Sequence, residues 1–373
     1  MKLLLQLLVI ACFLAPTTLR AQSEIAPPVF GEALSESLSI QKLEITPSET
    51  VLHLELVCLD GDELEVPEGE ARWYLETDAG KRLTLQSLRD AEYGTVTCGE
   101  MPLRYFAMVF EALPDNTQAF TLKEQRTSWF TDVLPQTLET VKKKAESGSL
   151  LHEKVLGIYY ERQYDYENAE KLYRSYVAQL RKEGQVESEA YISGMNRLIR
   201  LQINKGSFET AQQLSEEVLA AVGKEKPAIA KIIFTLGDIY QLLNQHEKAI
   251  RSYLDFAALK RKHNNLRRSD LFQLHNMILY SFGSLPEPSP PIAVGAVWLQ
   301  QPTLDEKSRI QVFAAGASQM MFSEGAAFTE GEWQAYEMYT ERLAPKTGER
   351  LFVQFKDGQG RTSEVVECMP AEK

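Results

Sequence analysis

The sequence predicts a three-part fold: a β-sandwich, an array of α-helical repeats and a second β-sandwich follow one another along the chain. Three changes of pattern give this order. Apolar and polar residues alternate with period two over residues 24–125, the period becomes 3.6 over residues 128–283, and alternation returns over residues 292–373. A proline-rich stretch, residues 284–291, is predicted to be the linker before the last part. A chain of 373 residues has room for this many domains.

Residues 1–21 are predicted to be a signal peptide. Lys2 precedes an apolar stretch that ends near Ala15, and cleavage is expected after Ala21. This stretch is too short for a stable transmembrane anchor, and no later one is long enough. Alternatively, the segment ending in Cys12 resembles a lipoprotein lipobox, in which Cys12 is acylated. Either way, we expect an exported protein of the periplasm or cell surface.

The formal net charge is −12 and is spread along the chain. A nucleic-acid partner would need a basic stripe, so this class of partner is not expected. In an oxidising compartment Cys58 and Cys98, both in the strand-rich region, are candidates for a disulfide. The sequence does not decide whether they approach closely enough. No Cys-x-x-Cys pair is present, so neither a thioredoxin-type redox site nor a zinc ribbon is predicted.

The strand-rich region contains short alternating runs separated by turn signals, such as Asp78-Ala79-Gly80, and this spacing is typical of a β-sandwich. The cadence Phe-x-x-Leu-Pro-x-x-Thr-x-x-Phe from Phe110 to Phe120 resembles the N-terminal β-domain of some exported Bacteroidetes proteins. In those proteins the domain is often fused to a thioredoxin-like reductase domain, which this sequence lacks.

Two stretches of the helical region repeat each other. Leu156–Tyr173 reads "LGIYYERQYDYENAEKLY" and Leu236–Tyr253 reads "LGDIYQLLNQHEKAIRSY". Five positions match at identical spacing: Leu156/Leu236, Gly157/Gly237, Tyr160/Tyr240, Ala169/Ala249 and Tyr173/Tyr253. The small residues would let two antiparallel helices pack closely, and the tyrosines would fill the remaining gap. Such helix pairs bury their faces by stacking on one another.

A weaker copy lies between these two stretches. Its Ala211 follows Ala169 by 42 residues and precedes Ala249 by 38. Ile199 replaces the helix-A glycine, and Gln202 and Ser215 occupy the two aromatic positions. A simple helical bundle remains the alternative to a repeat array. Helices at about residues 128–147 and 270–282 are predicted to flank the repeats.

The repeated pattern resembles the tetratricopeptide repeat. This resemblance implies an α-helical solenoid whose first helices form a concave face that binds a protein or peptide. Carried over helix by helix, it assigns nine partner-binding residues, although a solvated helix face would look alike at each position. They are Lys154, Glu161, Arg162, Asn196, Arg200, Asn204, Lys231, Asp238 and Gln241.

The C-terminal part is similar to an immunoglobulin-like or fibronectin-like module of bacterial surface proteins. The residues that carry this similarity form three groups: Met320, Phe322 and Ser323; Trp333 and Tyr336; Val353, Phe355, Asp357, Gly360 and Ser363. The resemblance implies an immunoglobulin-like β-sandwich. Trp333 is expected in its core, and a glycan-binding role for Trp333 or Tyr336 is the alternative.

No motif indicates catalysis. The five histidines lack the spacing of metal ligands, and no nucleophile elbow or phosphate-binding glycine loop is present. We therefore expect no cofactor, no metal and no enzyme. The predicted function is an exported scaffold or adaptor that binds a protein or peptide in the cell envelope. The alternative is a surface carbohydrate-binding or polysaccharide-processing accessory protein.

Overall fold

The computed structural model describes residues 23–58, 63–68, 72–98, 101–286, 289–298, 307–325, 328, 331–343 and 350–369. The predicted signal peptide, including Cys12, and part of the predicted linker lie outside these residues. The chain divides into two compact units, Met1–Gln179 and Leu180–Lys373.

The first unit begins with ten β-strands. They are β1 (Ser23–Ile25), β2 (Leu38–Ile45), β3 (Glu49–Val57), β4 (Leu64–Val66), β5 (Trp73–Thr77), β6 (Arg82–Arg89), β7 (Gly94–Val96), β8 (Leu103–Glu111), β9 (Phe120–Glu124) and β10 (Thr127–Val133). Eight of them form one sheet in the order β1-β2-β3-β8-β6-β5-β9-β10, and β4 pairs separately with β7. The strands of the large sheet pair antiparallel with their neighbours.

The eight-stranded sheet curls around its own core as a half-barrel. Register shifts interrupt the pairing of β2 with β3, β6 with β8 and β9 with β10, and such irregularities bend and twist a sheet. One face of the sheet thereby encloses a single apolar cluster that includes Leu43, Trp73, Phe106, Phe110 and Phe120.

The predicted N-terminal β-sandwich is therefore wrong. Alternation predicted the strands correctly, but it does not reveal which strands share hydrogen bonds, and here eight join one continuous sheet. Cys58 and Cys98 form a disulfide with a Cα–Cα distance of 5.9 Å at the edge of this core. Cys368, in the second unit, is buried and is not disulfide-bonded to either of them.

Three helices begin in the first unit: α1 (Leu138–Glu146), α2 (Leu150–Arg162) and α3 (Tyr166–Lys182). Thr137 caps α1 by accepting a hydrogen bond from the backbone N–H of Thr140. The helix predicted from about residue 128 is wrong at its start, because β10 occupies Thr127–Val133 and pairs with β9. Strand pairing thus extends the β region beyond the predicted limit at residue 125.

The second unit contains five further helices: α4 (Glu189–Asn204), α5 (Phe208–Val222), α6 (Ala230–Leu242), α7 (His246–Lys262) and α8 (Arg268–Gly283). A 3₁₀ turn, Pro227–Ile229, leads into α6. The helices α4 and α5 pack together, as do α6 and α7, and α8 packs on α7. The last of them corresponds to the helix predicted at about residues 270–282.

The hairpins α2–α3, α4–α5 and α6–α7 share one turn geometry. Each turn contains a residue with a left-handed backbone, Tyr164 (φ 59°), Gly206 (φ 73°) and Asn244 (φ 57°) respectively. In each, the backbone N–H of the next residue donates to the carbonyl five residues earlier, at 2.8–2.9 Å. The three copies therefore agree in backbone geometry, including the copy whose sequence match is weakest.

The first and third hairpins are closed by a tyrosine packed on a glycine. A Cβ atom on Gly157 would lie 2.6 Å from Tyr173 Cε1, and one on Gly237 would lie 2.5 Å from Tyr253 Cε1. Both tyrosines are fully buried. In the second hairpin the bulky residue is on the other helix: Ile199 stands at the glycine position and Ser215 at the tyrosine position. Both are buried as well.

The predicted tetratricopeptide-type solenoid has only weak support. The described residues contain eight helices, arranged as three hairpins with α1 before them and α8 after them. Three is about the smallest number of repeats that makes a stable array, and the second hairpin lacks the glycine and both aromatic residues of the pattern. The helical region is therefore best described as three similar hairpins.

The second unit ends in a sheet of seven strands: β11 (Ile292–Trp298), β12 (Lys307–Ala315), β13 (Gln319–Ser323), β14 (Gln334–Ala335), β15 (Tyr339–Leu343), β16 (Phe352–Lys356) and β17 (Val366–Met369). Their order is β14-β13-β16-β17-β11-β12-β15, and β11 pairs parallel with β17. The sheet is curled as a half-barrel. The predicted immunoglobulin-like sandwich is therefore wrong, because the strands form one sheet with a parallel pair.

Trp333 does not lie in the core of this sheet. It is half-buried, and the Lys356 Nζ atom lies 4.2 Å from the centre of its ring. Tyr336 packs against the core instead, with its ring 5.8 Å from that of Phe355. The core expected around Trp333 is formed by other residues, among them Phe322.

Helix α8 joins the helices of the second unit to this sheet. Side chains of α8 cover two glycines: a Cβ atom on Gly295 would lie 2.6 Å from Leu271, and one on Gly316 would lie 2.4 Å from Phe282. The Arg268 Nε atom donates to Gln311 Oε1 at 2.7 Å. The helix predicted as a cap thus packs on β11 and β12.

Candidate functional site

The first of the predicted partner-binding residues pack against the N-terminal sheet. Lys154 Nζ donates to Asp132 Oδ2 at 2.7 Å. The guanidinium of Arg162 lies 4.1 Å from the centre of the Phe30 ring and donates to the carbonyl oxygens of Phe30 and Gly31. These side chains therefore stabilise the first unit from within.

Two predicted carboxylates bind the buried tyrosines of their own hairpins. Tyr173 donates its hydroxyl proton to Glu161 Oε2 at 2.7 Å, and Tyr253 donates to Asp238 Oδ1 at 2.8 Å. Burial raises the pKa of Asp238, and the hydrogen bond from Tyr253 partly opposes this rise. The same burial, with the nearby carboxylate, raises the pKa of Tyr253. Both carboxylates hold the packed tyrosine in place over its glycine.

Gln241 and Asn196 are also partly enclosed. Gln241 Nε2 donates to the carbonyl oxygen of Met277 at 2.8 Å and to Ser281 Oγ at 2.7 Å, which ties α6 to α8. Asn196 is half-buried, and its Oδ1 atom is buried without a hydrogen-bond partner among the described residues. Neither side chain is freely presented to solvent.

Arg162 on α2 is exposed but bonded to the Phe30 segment. Three further predicted residues are exposed: Arg200 and Asn204 on α4, and Lys231 on α6. The helices α4 and α6 are in contact, so these side chains belong to neighbouring helices of one unit. We call these three residues the α4/α6 set. Of the nine predicted residues, only these three are exposed and form no side-chain hydrogen bond or ion pair with another described residue.

A cavity of about 380 Å³ lies between α1, α2 and α3. Its walls include apolar side chains such as Leu156 and Leu172, together with the ring of Tyr160. Glu153 lines it and is 95% buried, with 5% of its surface exposed. Ser175 Oγ donates to Glu153 Oε1 at 2.8 Å, whereas Glu153 Oε2 is buried with no partner in the described structure.

The charged side chains around this cavity do not form ion pairs with one another in the described structure. Burial raises the pKa of Glu153 and the Ser175 hydrogen bond opposes that rise, while no lysine or arginine among the described residues forms an ion pair with this carboxyl. Lys142 and Lys171 also line the cavity. Lys142 Nζ lies 5.8 Å from the Tyr160 ring centre, and neither lysine forms an ion pair within the described ranges. Glu146 is exposed at the same rim.

Sequence reasoning missed this cavity because its residues come from three helices. Glu153 directly precedes Lys154, which was assigned to a partner-binding face. The available signal was the position of Glu153 three residues before Leu156, on the apolar side of α2. Glutamate is rarely buried unless its carboxylate is paired, so a glutamate on the buried side of a helix indicates a position where a partner group is needed.

A second cavity, of about 320 Å³, lies beside α6 and α7 in the second unit. Its charged groups are matched: Lys224 pairs with Asp255 at 3.2 Å, and Lys262 pairs with Glu225. These pairs are solvent-exposed and contribute little to stability. Because these charged groups are already paired, we propose no ligand site in this cavity.

The two buried histidines have structural surroundings. His152 Nδ1 lies 2.7 Å from Ser149 Oγ, and its Nε2 lies 3.1 Å from Gln136 Oε1. Ser149 is the N-cap of α2, so this contact closes the first turn of that helix. His275 packs 5.8 Å from the Phe313 ring. Burial lowers the pKa of both histidines, so both are expected to be neutral at pH 7.

Among the described residues, no three His, Cys, Asp or Glu side chains are placed to hold a metal ion together. No helix in the described part of the chain is both long and apolar enough to cross a membrane.

No protein-family model matches this chain, and no curated protein is significantly similar to it. Among solved structures, BtubC (BKLC) from P. vanneervenii is 18% identical, with a TM-score of 0.33 over 36% of this chain and 56% of that one. A putative kinesin light chain from Podosopora anserina, with nearly identical TPR-like repeats, is 20% identical, with a TM-score of 0.30 over 39% and 66%. MamA protein is 17% identical, with a TM-score of 0.31 over 39% and 70%.

These neighbours are repeat proteins of the tetratricopeptide-like kind, and the likeness is partial. The chain spans just over half the length of the BtubC structure and just under two thirds of the kinesin light chain structure.

Proposed function

We propose that the protein is a non-catalytic scaffold that binds a protein or peptide partner through the α4/α6 set in its second unit. The carrying observation is the exposure of Arg200, Asn204 and Lys231 on two helices in contact, while the other six predicted residues are bonded or enclosed. Two cations and an amide on adjacent helices suit a partner segment that carries carboxylates and backbone carbonyls.

The contacts of the first hairpin support this restriction to the second unit. Lys154 and Arg162 are already bonded to Asp132 and to the Phe30 segment of the same unit. A partner would have to displace those contacts, whereas no side-chain hydrogen bond or ion pair within the described ranges engages the α4/α6 set. The proposed interface is therefore smaller than the nine-residue face expected from sequence.

A charge-reversal experiment tests this proposal. Arg200→Glu with Lys231→Glu inverts both cations of the set, and Lys182→Glu with Arg251→Glu makes the same net charge change at exposed sites on α3 and α7. We expect the first pair to lose partners that the wild type captures from envelope extract, and the control pair to retain them. Retention of every partner by both pairs would refute the proposed interface.

We also propose that the protein is exported to the periplasm or cell surface. The support is the charged-then-apolar pattern of residues 1–21 and the Cys58–Cys98 disulfide, since such bonds persist in oxidising compartments. Intact-mass analysis of the protein purified from its native envelope tests this. A chain beginning at Gln22 is expected; an acylated chain beginning at Cys12 would instead support the lipoprotein alternative, and an intact Met1 would refute export.

The carbohydrate-binding alternative has less support from the C-terminal sheet. One face of Trp333 is approached by Lys356, and Tyr336 is turned towards the core, where its hydroxyl lies 3.4 Å from the backbone nitrogen of Ala314. A sugar-binding site needs an aromatic ring with a face open to solvent. Neither Trp333 nor Tyr336 is as open as a fully exposed tryptophan ring.

A further inference from the structure

The cavity between α1, α2 and α3 is lined by charged side chains that form no ion pair with one another in the described structure. A carboxylate buried without a cation is costly, and proteins normally compensate it with a pairing group, a bound ligand or a proton. Glu153 has one hydrogen bond, from Ser175, and its second oxygen has none in the described structure. The cavity of about 380 Å³ is in the size range of small-molecule sites, near its lower end.

The charged side chains that line the cavity determine which charges a ligand must carry. A donor must reach Glu153, and an ammonium group is the strongest candidate because it satisfies both the charge and the open acceptor oxygen. A simple cation would, however, meet repulsion from Lys142 and Lys171, which also line the cavity and form no ion pair in the part of the chain that the structure describes. A ligand that carries its own carboxylate turns that repulsion into attraction.

The remaining walls select the body of the ligand. Ala145, Leu156 and Leu172 are apolar, and the Tyr160 ring adds an aromatic surface. These walls favour an aliphatic side chain between the two charged ends. Lys142 and Lys171 line the same cavity as Glu153, and their long, flexible side chains can adjust to a bound carboxylate.

We propose that this cavity binds a small zwitterion, an α-amino acid or a dipeptide with an apolar side chain, with its ammonium group on Glu153 and its carboxylate on Lys142 and Lys171. This site lies in the first unit and is independent of the α4/α6 set. Glu146 at the rim provides a second acceptor for the ammonium as it enters.

Calorimetric titration of the full chain with four related compounds tests the proposal. Leucine and leucyl-leucine carry both charges, leucinamide lacks the carboxylate, and N-acetylleucine lacks the ammonium. We expect leucine or leucyl-leucine to bind, and whichever binds more tightly identifies the source of the zwitterion. Leucinamide and N-acetylleucine should each bind at least about tenfold more weakly, since each loses one charged contact.

Substitutions then assign the contacts. Glu153→Gln should weaken binding of the better zwitterion at least about tenfold, whereas Glu167→Gln, an exposed carboxylate on α3 outside the cavity, should leave it unchanged. Lys142→Gln with Lys171→Gln should weaken binding of the zwitterion, whereas leucinamide, a simple cation, should bind more tightly because the repulsion from the two lysines is removed. Circular dichroism confirms that each variant is folded, and the four-compound comparison on the wild type needs no variant.

Three results would overturn the proposal. In the first, neither zwitterion binds with a dissociation constant below roughly 1 mM. In the second, leucinamide or N-acetylleucine binds as tightly as the better of the two zwitterions. In the third, Glu153→Gln binds that zwitterion like the wild type. None of these results bears on partner capture by the α4/α6 set, because the residues and units are different.

Discussion

At the scale of single residues, the clearest structural role belongs to Gly157. Its place opposite Tyr173 leaves no room for a Cβ atom, because three ring carbons of that tyrosine lie within 3.2 Å of where the Cβ would be. The sequence predicted this role, since the glycine and tyrosine recur together at Gly237 and Tyr253. Identical spacing within helices is local information, and it was sufficient here.

Gly157→Ala should destabilise the protein. Alanine is worth about 1 kcal/mol more than glycine in a helix, but forcing a methyl group into a packed ring costs about 1–3 kcal/mol. We therefore expect a net loss of up to about 2 kcal/mol, measured by urea denaturation. Gly283→Ala is the matched control, because nothing lies within 4 Å of its Cβ position. Equal effects of the two substitutions would contradict the packing account.

Glu153→Gln should change how stability depends on pH. Burial raises the pKa of Glu153 in the folded state above its ordinary value of 4.5. The protonated form therefore favours folding, and wild-type stability falls as the pH rises from 4.5 through the raised pKa. The variant lacks this loss, so its advantage should grow from pH 4.5 towards neutrality, by on the order of 1 kcal/mol per unit of pKa shift.

Denaturant titrations of both proteins at several pH values measure this difference. An advantage of the variant that stays constant with pH would show that Glu153 titrates normally. Because the measurement uses no ligand, its result concerns only the free protein.

At the scale of the elements, the three hairpins fill the space between their two helices in two ways. The first and third place a tyrosine on the second helix over a glycine on the first. The second places Ile199 on the first helix and Ser215 on the second, and both are buried. Sequence reasoning recorded these two residues as departures from the pattern. Both are fully buried, so we infer an exchange of bulk between the two helices, since packing tolerates substitutions that keep the total volume.

A double-mutant cycle tests this exchange in the first hairpin. Gly157→Ile alone should destabilise strongly, because its side chain collides with Tyr173. Tyr173→Ser alone should cost about 3–5 kcal/mol through the cavity it leaves. The double variant should be more stable than the sum of the single losses predicts, by about 0.5–3 kcal/mol. Simple additivity in urea denaturation would refute the exchange.

Arg162→Ala should loosen the contact between α2 and the N-terminal strands. The substitution removes a guanidinium that stacks on Phe30 and donates to two backbone carbonyls. We expect a loss of about 1–3 kcal/mol, from the cation–π contact and the charged hydrogen bonds. Arg200→Ala is the control: Arg200 is exposed on α4, so stability should change by less than about 0.5 kcal/mol. Thermal unfolding of both variants provides the comparison.

At the scale of the whole molecule, sequence periodicity predicted the order of strands and helices but not how the strands assemble. The parallel pairing of β11 with β17 joins Ala296 to Cys368, and no local pattern encodes a contact over that separation. Both sandwiches were wrong for this reason. A similar long-range contact, from Arg162 to Phe30, engages the guanidinium of a predicted partner-binding residue, although that residue stays exposed.

The two candidate sites differ in the same way: one could be predicted from local periodicity and the other depends on contacts between separate helices. Arg200, Asn204 and Lys231 could be proposed from their positions in helical repeats, and they remain accessible. The Glu153 cavity could not, because its walls are brought together by three helices and its importance rests on one oxygen without a partner. Periodicity identifies a helix face, whereas the absence of a hydrogen bond is visible only in three dimensions.

Site-specific photo-crosslinking tests the central claim most directly. A photoreactive phenylalanine analogue placed at position 200, 204 or 231 should crosslink to a protein or peptide partner in envelope extract. The same analogue at position 162, on the helix face that packs against Phe30, should give no partner crosslink. Crosslinks at position 162 with none at the other three positions would contradict the account, because the partner would then bind where the arginine is already bonded within the first unit and not at the α4/α6 set.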